Sequence, residues 1–277
     1  MKKGSIKRIL IKTRRQVFSE LIGNNASLFH GEGYDFSELR EYQVGDDIRH
    51  IDWIITAKQN KPYVKLFHKE HQLNVVIATM LNGSVYFGTK RLKQDLIAEV
   101  AAILAFSSIK NGDNFSHWLF ADGLIRHSRP SKKFHGVQQC VEEVLDFDPI
   151  GKKLDADAVE KELMLRLKRR SLIFLIGDFF SLPVIKALGK KHEIIALVVR
   201  DRYEEKLPDL GETALIDPEN GAYFEGEIGT KLAQRYEARV KEHDSAMNDY
   251  FKKNRIRWVK LYTDEDPFAK LARLFKD

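Results

Sequence analysis

Three short apolar runs limit what this chain can fold into more than any other feature. "LNVVIATML" (73–81), "SLIFLIGDFF" (171–180) and "HEIIALVVRD" (192–201) are almost continuously apolar and show little polar alternation. Strands take that composition when helices cover both of their faces. Helical patterns lie between and around them. "RLKQDLIAEVAAILAFSSIKNG" stops at Gly112, "FHGVQQCVEEVLDF" is amphipathic, and "DADAVEKELMLRLKRR" runs from acids to bases. "NFSHWLFADG" and "LIRHSRP" read as two strands turning at Asp122–Gly123, and "VIKALGKK" as a short helix. Residues 204–226 are polar and turn-rich, with "DPENG" as a hairpin tip. A long helix follows, with Leu232, Tyr236, Val240, Met247 and Phe251 expected along one side, then the strand "IRWVKLYTD" and a last helix opened by Pro267. Buried strands alternating with helices predict a doubly wound, mostly parallel α/β sheet over residues 72–277. Ligands in such sheets sit at the carboxyl ends of the strands, so residues 80–90 and 177–181 are expected on one rim.

The first 71 residues have a different character and are grouped as an N-terminal segment packed on that body. Residues 1–15 carry seven Lys or Arg and no acid, while Ile6, Leu10, Val17 and Leu21 repeat at helical spacing around Thr13. Such a basic amphipathic helix either packs on the body with its charges in water or docks an anionic surface. No apolar run approaches the roughly 20 residues that cross a bilayer, and the N-terminus lacks the apolar centre of a secretion signal. The single cysteine, Cys140, fits a reducing compartment. A cytoplasmic protein is expected.

In the loop "TMLNGSVYFGTKR" (79–91), Gly83 and Gly88 have P-loop spacing. The order Gly88-Thr89-Lys90, however, misplaces the amine and hydroxyl that a phosphate cradle requires, and Tyr86 and Phe87 crowd the turn.

The most distinctive stretch is "GEGYDFSELREYQVGDDIRHIDW" (31–53). It gathers Arg40, Glu41, Asp46, Asp47, Arg49 and Asp52 beside Tyr42 and Trp53. Gly45, Asp46 and Asp47 suit a turn feeding a short helix with an Asp cap. The charges read either as a satisfied ion-pair network or as a docking surface. The pattern resembles the signature of the domain of unknown function 58 family, von Willebrand A-like proteins associated with MoxR-type AAA+ ATPases. The similarity continues through "FHKEHQLNVVIATMLNGSVYFGT", "IKNGD", "LIFLIGDFF" and "LPDLGETALIDPENG". It implies a von Willebrand A-like fold without enzymatic activity of its own. It also implies work beside a AAA+ ATPase in the assembly, maturation or metal loading of client proteins.

The resemblance also implies a metal-ion-dependent adhesion site on the rim, with Asp-x-Ser-x-Ser after the first central strand and a further Asp from a later one. Here Met80, Asn82 and Ser84 stand in the first three places, and Asp178 supplies the later acid. A thioether is a poor partner for a hard cation. The site is therefore expected to be degenerate. Asn82, Ser84 and Asp178 either hold Mg²⁺ or Mn²⁺ weakly, with Met80→Asp strengthening binding, or satisfy one another and cap the next helix. A lysine such as Lys90 is a candidate replacement for the ion.

Other constellations are weaker. His68 and His71 of "HKEH" point to opposite faces of a strand, and Cys140 has no recognisable His partner in sequence. The leading expectation is a non-enzymatic interaction module or adaptor for a AAA+ ATPase. The alternatives are a binder of anionic membrane or nucleic acid through the basic N-terminus, and a hydrolase built on Asp46, Asp47 and Asp52. Nucleic acid is the less favoured partner, because no recognition motif accompanies the charge.

Overall fold

A computed structural model of the chain describes residues 2–19, 38–43, 46, 48, 51–59, 61–66 and 72–274. It divides into two units, one formed by Met1–Phe29 with Leu73–Asp277 and the other by His30–Gln72. The main unit contains helix α1 (Lys2–Ser19), strand β3 (Asn74–Met80), a 3₁₀ turn (Gly83–Tyr86), α3 (Lys93–Lys110) and the pair β4 (Asn114–Phe120) and β5 (Leu124–His127). These are followed by α4 (Phe134–Asp146), α5 (Ala156–Arg166), β6 (Leu172–Gly177), α6 (Lys186–Lys191), β7 (Glu193–Arg200) and α7 (Arg202–Glu205). The chain then forms a hairpin, β8 (Gly211–Ile216) with β9 (Tyr223–Ile228), and ends in α8 (Thr230–Lys253), β10 (Arg257–Tyr262) and α9 (Pro267–Leu274).

Six strands make the central sheet in the order β10-β7-β6-β3-β4-β5. All neighbours are parallel except β4 and β5, which turn back on each other through Gly123 at φ 149°. This is the doubly wound, mostly parallel arrangement expected from the sequence. Strand alternation divides the core into two layers. Val75, Ile77, Phe174, Ile176, Ile195 and Leu197 face a layer with α3, α4, α9 and α1. Val76, Ala78, Met80, Ile173, Leu175 and Val198 face the other, with α5, α6 and α8. Helix α3 is buried around nearly its whole circumference, because the sheet lies on one side and α1 and α4 on the other.

Two expectations change, and a third is met over the residues described. The basic helix does not group with the charged segment: Ile6, Thr13 and Val17 of α1 are buried, and Lys12 Nζ lies 2.5 Å from Glu99 Oε1 of α3, so α1 is part of the main unit. In α8 the expected stripe holds only toward the C-terminus. Val240, Met247 and Phe251 are buried while Leu232 and Tyr236 face solvent, since the first turns run beside the hairpin rather than over the sheet. The strand expected across "KPYVKLFHKEH" is described as β2 (Tyr63–Leu66), and His68, Glu70 and His71 lie outside the described residues.

The small unit contains β1 (Glu38–Glu41) paired antiparallel with β2, and the short helix α2 (Trp53–Gln59). Among the described residues, no helix is long and apolar enough to cross a membrane.

Candidate functional site

The chain reverses direction across the sheet between β3 and β6, and the crevice of a doubly wound sheet opens where that happens. The loop after β3, the loop after β6 and the end of β7 meet there. Two glycines fix the first loop by close approach. A Cβ on Gly83 would stand 2.4 Å from the Pro218 carbonyl oxygen, and one on Gly88 would stand 1.9 Å from that of Arg91. They serve packing and a tight turn, not a phosphate. Thr89 likewise donates its backbone N–H (2.8 Å) and its hydroxyl (2.9 Å) to Asp201 Oδ2.

Ser84 Oγ donates to Asp178 Oδ2, so two of the three candidate ligands do meet. Asn82 does not join them. Its Nδ2 donates to Glu219 Oε1 at 2.5 Å, and its side chain makes no helix cap. Lys93, the first residue of α3, reaches the same Asp178 carboxylate. Its side chain is 0% exposed, with Nζ 3.2 Å from Asp178 Oδ2 and in contact with Glu204 Oε1. Lys90, by contrast, faces solvent, so the cation beside Asp178 is Lys93 and not Lys90. Burial works against an ionised Asp178, but the Lys93 ammonium, the Ser84 hydroxyl and Arg200 together hold its carboxyl below the ordinary range. Burial pushes the Glu204 carboxyl up, although Lys93 opposes the shift.

These residues do not fit a hard divalent ion. Met80 is buried with its methyl end packed toward Gly177, where a Cβ would lie 2.9 Å from Met80 Cε. An ammonium already balances the carboxylates, and a metal would have to displace it. Among the described residues, no group of three or more His, Cys, Asp or Glu stands together in a metal-binding arrangement.

The rim extends through residues that the sequence reading did not single out. Asp201 and Glu204 form the capping box of α7, Glu204 accepting from the Asp201 N–H at 2.9 Å, and Asp201 also accepts from the Tyr203 N–H at 2.9 Å. Arg200, fully buried, sends Nη2 to Asp244 Oδ1 at 3.2 Å and lies under the Phe180 ring, with Cζ 3.5 Å from the ring centroid. Lys93 Nζ is 5.4 Å from the same ring. A charged residue ending an otherwise apolar strand run was the available signal for Arg200.

In the small unit, Arg40 Nη2 is 2.7 Å from Asp46 Oδ1, and the Gln43 N–H donates to Asp46 Oδ2 at 2.8 Å. That backbone bond and the guanidinium hold the Asp46 carboxyl below its usual range. Asp52 Oδ1 accepts from Ile54 N (3.0 Å) and Ile55 N (3.1 Å), which caps α2. Glu41 pairs with Lys61 at 3.0 Å, and Tyr42 is half-buried. Trp53 is 69% exposed. Asp46 and Asp52 thus serve separate turns instead of converging as an acidic pair. Asp47 and Arg49 lie outside the described residues.

Cys140 does have a histidine beside it. His117 is buried in the first core layer, with Nδ1 3.0 Å from Glu143 Oε2 and Nε2 2.9 Å from Thr79 Oγ1. Burial opposes charge on the ring, yet Cys140 and Glu143 lift its pKa to about 9. Both ring nitrogens are engaged and the thiol is buried, so the group does not present a nucleophile to solvent.

A family model described as "Protein of unknown function DUF58" matches residues 38–246. The chain is 25% identical over 279 residues to the "Uncharacterized protein Rv1480" of Mycobacterium tuberculosis, covering 98% of this chain and 87% of that protein. Its likeness to "Uncharacterized protein Mb1516" of Mycobacterium bovis has the same extent. Among solved structures it is similar to the conserved hypothetical protein BatB from Bacteroides thetaiotaomicron, with TM-score 0.49 and 11% identity over 74% of this chain and 97% of that one. It is also similar to the SpRpn10 VWA domain, with TM-score 0.38 and 10% identity over 72% of this chain and 93% of that one.

Proposed function

The chain belongs to the DUF58 family, and from that premise we propose that it is a non-enzymatic protein-interaction module. In this reading it works with a MoxR-type AAA+ ATPase in the assembly or maturation of client proteins. The observation that carries the reading is the hairpin β8–β9 beside the rim. Its tip is seated on the rim loop through Glu219 on Asn82 and through the close approach of Gly83 to Pro218. Its strands present Ile216 (67% exposed), Tyr223 (59% exposed), Leu215 and Phe224 to solvent. Exposed apolar cross-strand pairs of this kind, Ile216 with Tyr223 and Leu215 with Phe224, are a common mark of a protein contact surface. The rim supports the reading from the other side. Lys93, Asp178, Glu204 and Ser84 satisfy one another there, as a rigid platform needs and as a group that must exchange protons does not.

The test is direct binding between the purified chain and a MoxR-type ATPase from the same organism, in each nucleotide state. Binding is expected, with roughly tenfold or greater weakening in Ile216→Asp/Tyr223→Asp. No binding in any nucleotide state would sink the reading.

A second reading rests on the outer face of α1, where Lys7, Arg8, Arg15 and Ile11 are exposed. A basic face with an apolar residue on it suits an anionic membrane surface.

A further inference from the structure

Arg200 is fully buried, yet its Nε and Nη1 have no hydrogen-bond partner among the described residues. Buried guanidinium donors are ordinarily satisfied, so two orphans on one side chain need an explanation. Its one hydrogen-bonded counter-ion is shared. Asp244 also lies 2.6 Å from Lys260 Nζ and 3.4 Å from His243 Nδ1. His243, packed 5.8 Å from the Phe180 ring, has an orphan of its own at Nε2. One half-buried aromatic ring therefore covers a cluster of incompletely matched donors. The segment bearing that ring is strained. Phe179 adopts φ 56°, a left-handed conformation that is a true outlier for a bulky residue. Such outliers concentrate in clamps and switch segments.

We infer that Arg200 is a carboxylate-binding residue closed off by Phe180, and that the rim takes an acidic side chain or a chain terminus of a protein partner when the ring swings aside. The inference rests on the rim being a contact surface, as proposed above, and adds what that surface recognises. With the ring displaced, Nε–H or Nη1–H is open to a carboxylate oxygen while Nη2 keeps Asp244, a charge-assisted bond that guanidinium donors form well. Doubly charged phosphate is disfavoured. Asp178, Glu204 and Asp244 surround the site, and their repulsion grows with the charge of the incoming group.

Titration of the full chain with millimolar peptide probes tests this, read by calorimetry and by the nitrogen-15 signal of the Arg200 Nε–H. The probes are acetyl-Gly-Asp-Gly-amide, its Asn counterpart, Gly-Gly-Gly with a free carboxyl end, and inorganic phosphate. Phe180→Ala is expected to tighten binding of one or both carboxylate peptides roughly tenfold or more and to leave the Asn peptide inert. Whichever carboxylate binds identifies the source. Adding Arg200→Gln, or Arg200→Lys if the first variant misfolds, should abolish the gain. The inference is overturned if folded Phe180→Ala shows no shift of the Arg200 signal with either carboxylate, or if phosphate binds more tightly than both. These measurements use no ATPase, so their failure is separate from failure of the adaptor reading.

Discussion

Lys93 holds a buried ammonium between the Asp178 and Glu204 carboxylates. With its ammonium in place, Met80→Asp alone is expected to show no Mg²⁺ binding by calorimetry, because the new carboxylate faces a buried cation that is already matched. Met80→Asp/Lys93→Ser, which restores an anionic pocket, is expected to bind Mg²⁺. Saturable binding by the single variant would show that Lys93 does not occupy the position argued for it. His117 gives a pH signature. Its folded pKa of about 9 lies above the unfolded value near 6.5, so its contribution is complete below about pH 6.5 and is lost as pH rises through 9. Urea midpoints should therefore fall across that window, by roughly 2–3 kcal/mol in stability, and His117→Gln should remove most of the slope. Asp178 acts in the opposite sense, since its lowered pKa contributes stability that is present above the unfolded value and disappears as the solution is acidified. Phe179 keeps its left-handed backbone because its ring is anchored edge-on against Phe251, with centroids 5.6 Å apart. Phe179→Ala should lose about 3 kcal/mol in chemical denaturation, since it leaves a cavity under the loop.

Among the secondary-structure elements, α1 and the hairpin are the informative ones. Helix α1 covers α3 through Ile6 and Val17, and Val17→Asp is expected to cost about 3 kcal/mol and to raise hydrogen exchange along α3. Gly83→Ala should strain the hairpin seat, because a methyl would meet the Pro218 carbonyl, and faster proteolysis between β8 and β9 would report it. How far the sequence announced these elements follows from the range of the forces that make them. β3, β6 and β7 were legible because burial on both faces leaves an unbroken apolar run, and the β4–β5 turn because Asp122–Gly123 is a local signal. Ser84 and Asp178 were legible as candidates only through the family pattern. Lys93, Glu204 and Arg200 were not. The Lys93 contacts join residues 85 and 111 positions apart, and no local periodicity encodes which lysine at a helix start turns inward. The front of α8 departs from its sequence pattern for a related reason. Leu232 and Tyr236 fit a helical stripe, but a stripe does not reveal where the sheet beneath it ends.

For the molecule as a whole, the formal charge of +6 is a weak guide to partners. The α1 cations are partly neutralised, Lys12 by Glu99 and Asp266, and later basic residues are interleaved with acids. Association with duplex DNA is expected to be weak and lost at physiological salt, whereas a steep salt slope with tight binding to anionic vesicles would favour the membrane reading. The rim places its own demand on any regulation of this protein. Its positive charge, on Lys93, is covalently attached, so unlike that of a bound ion it does not vary with the supply of free magnesium.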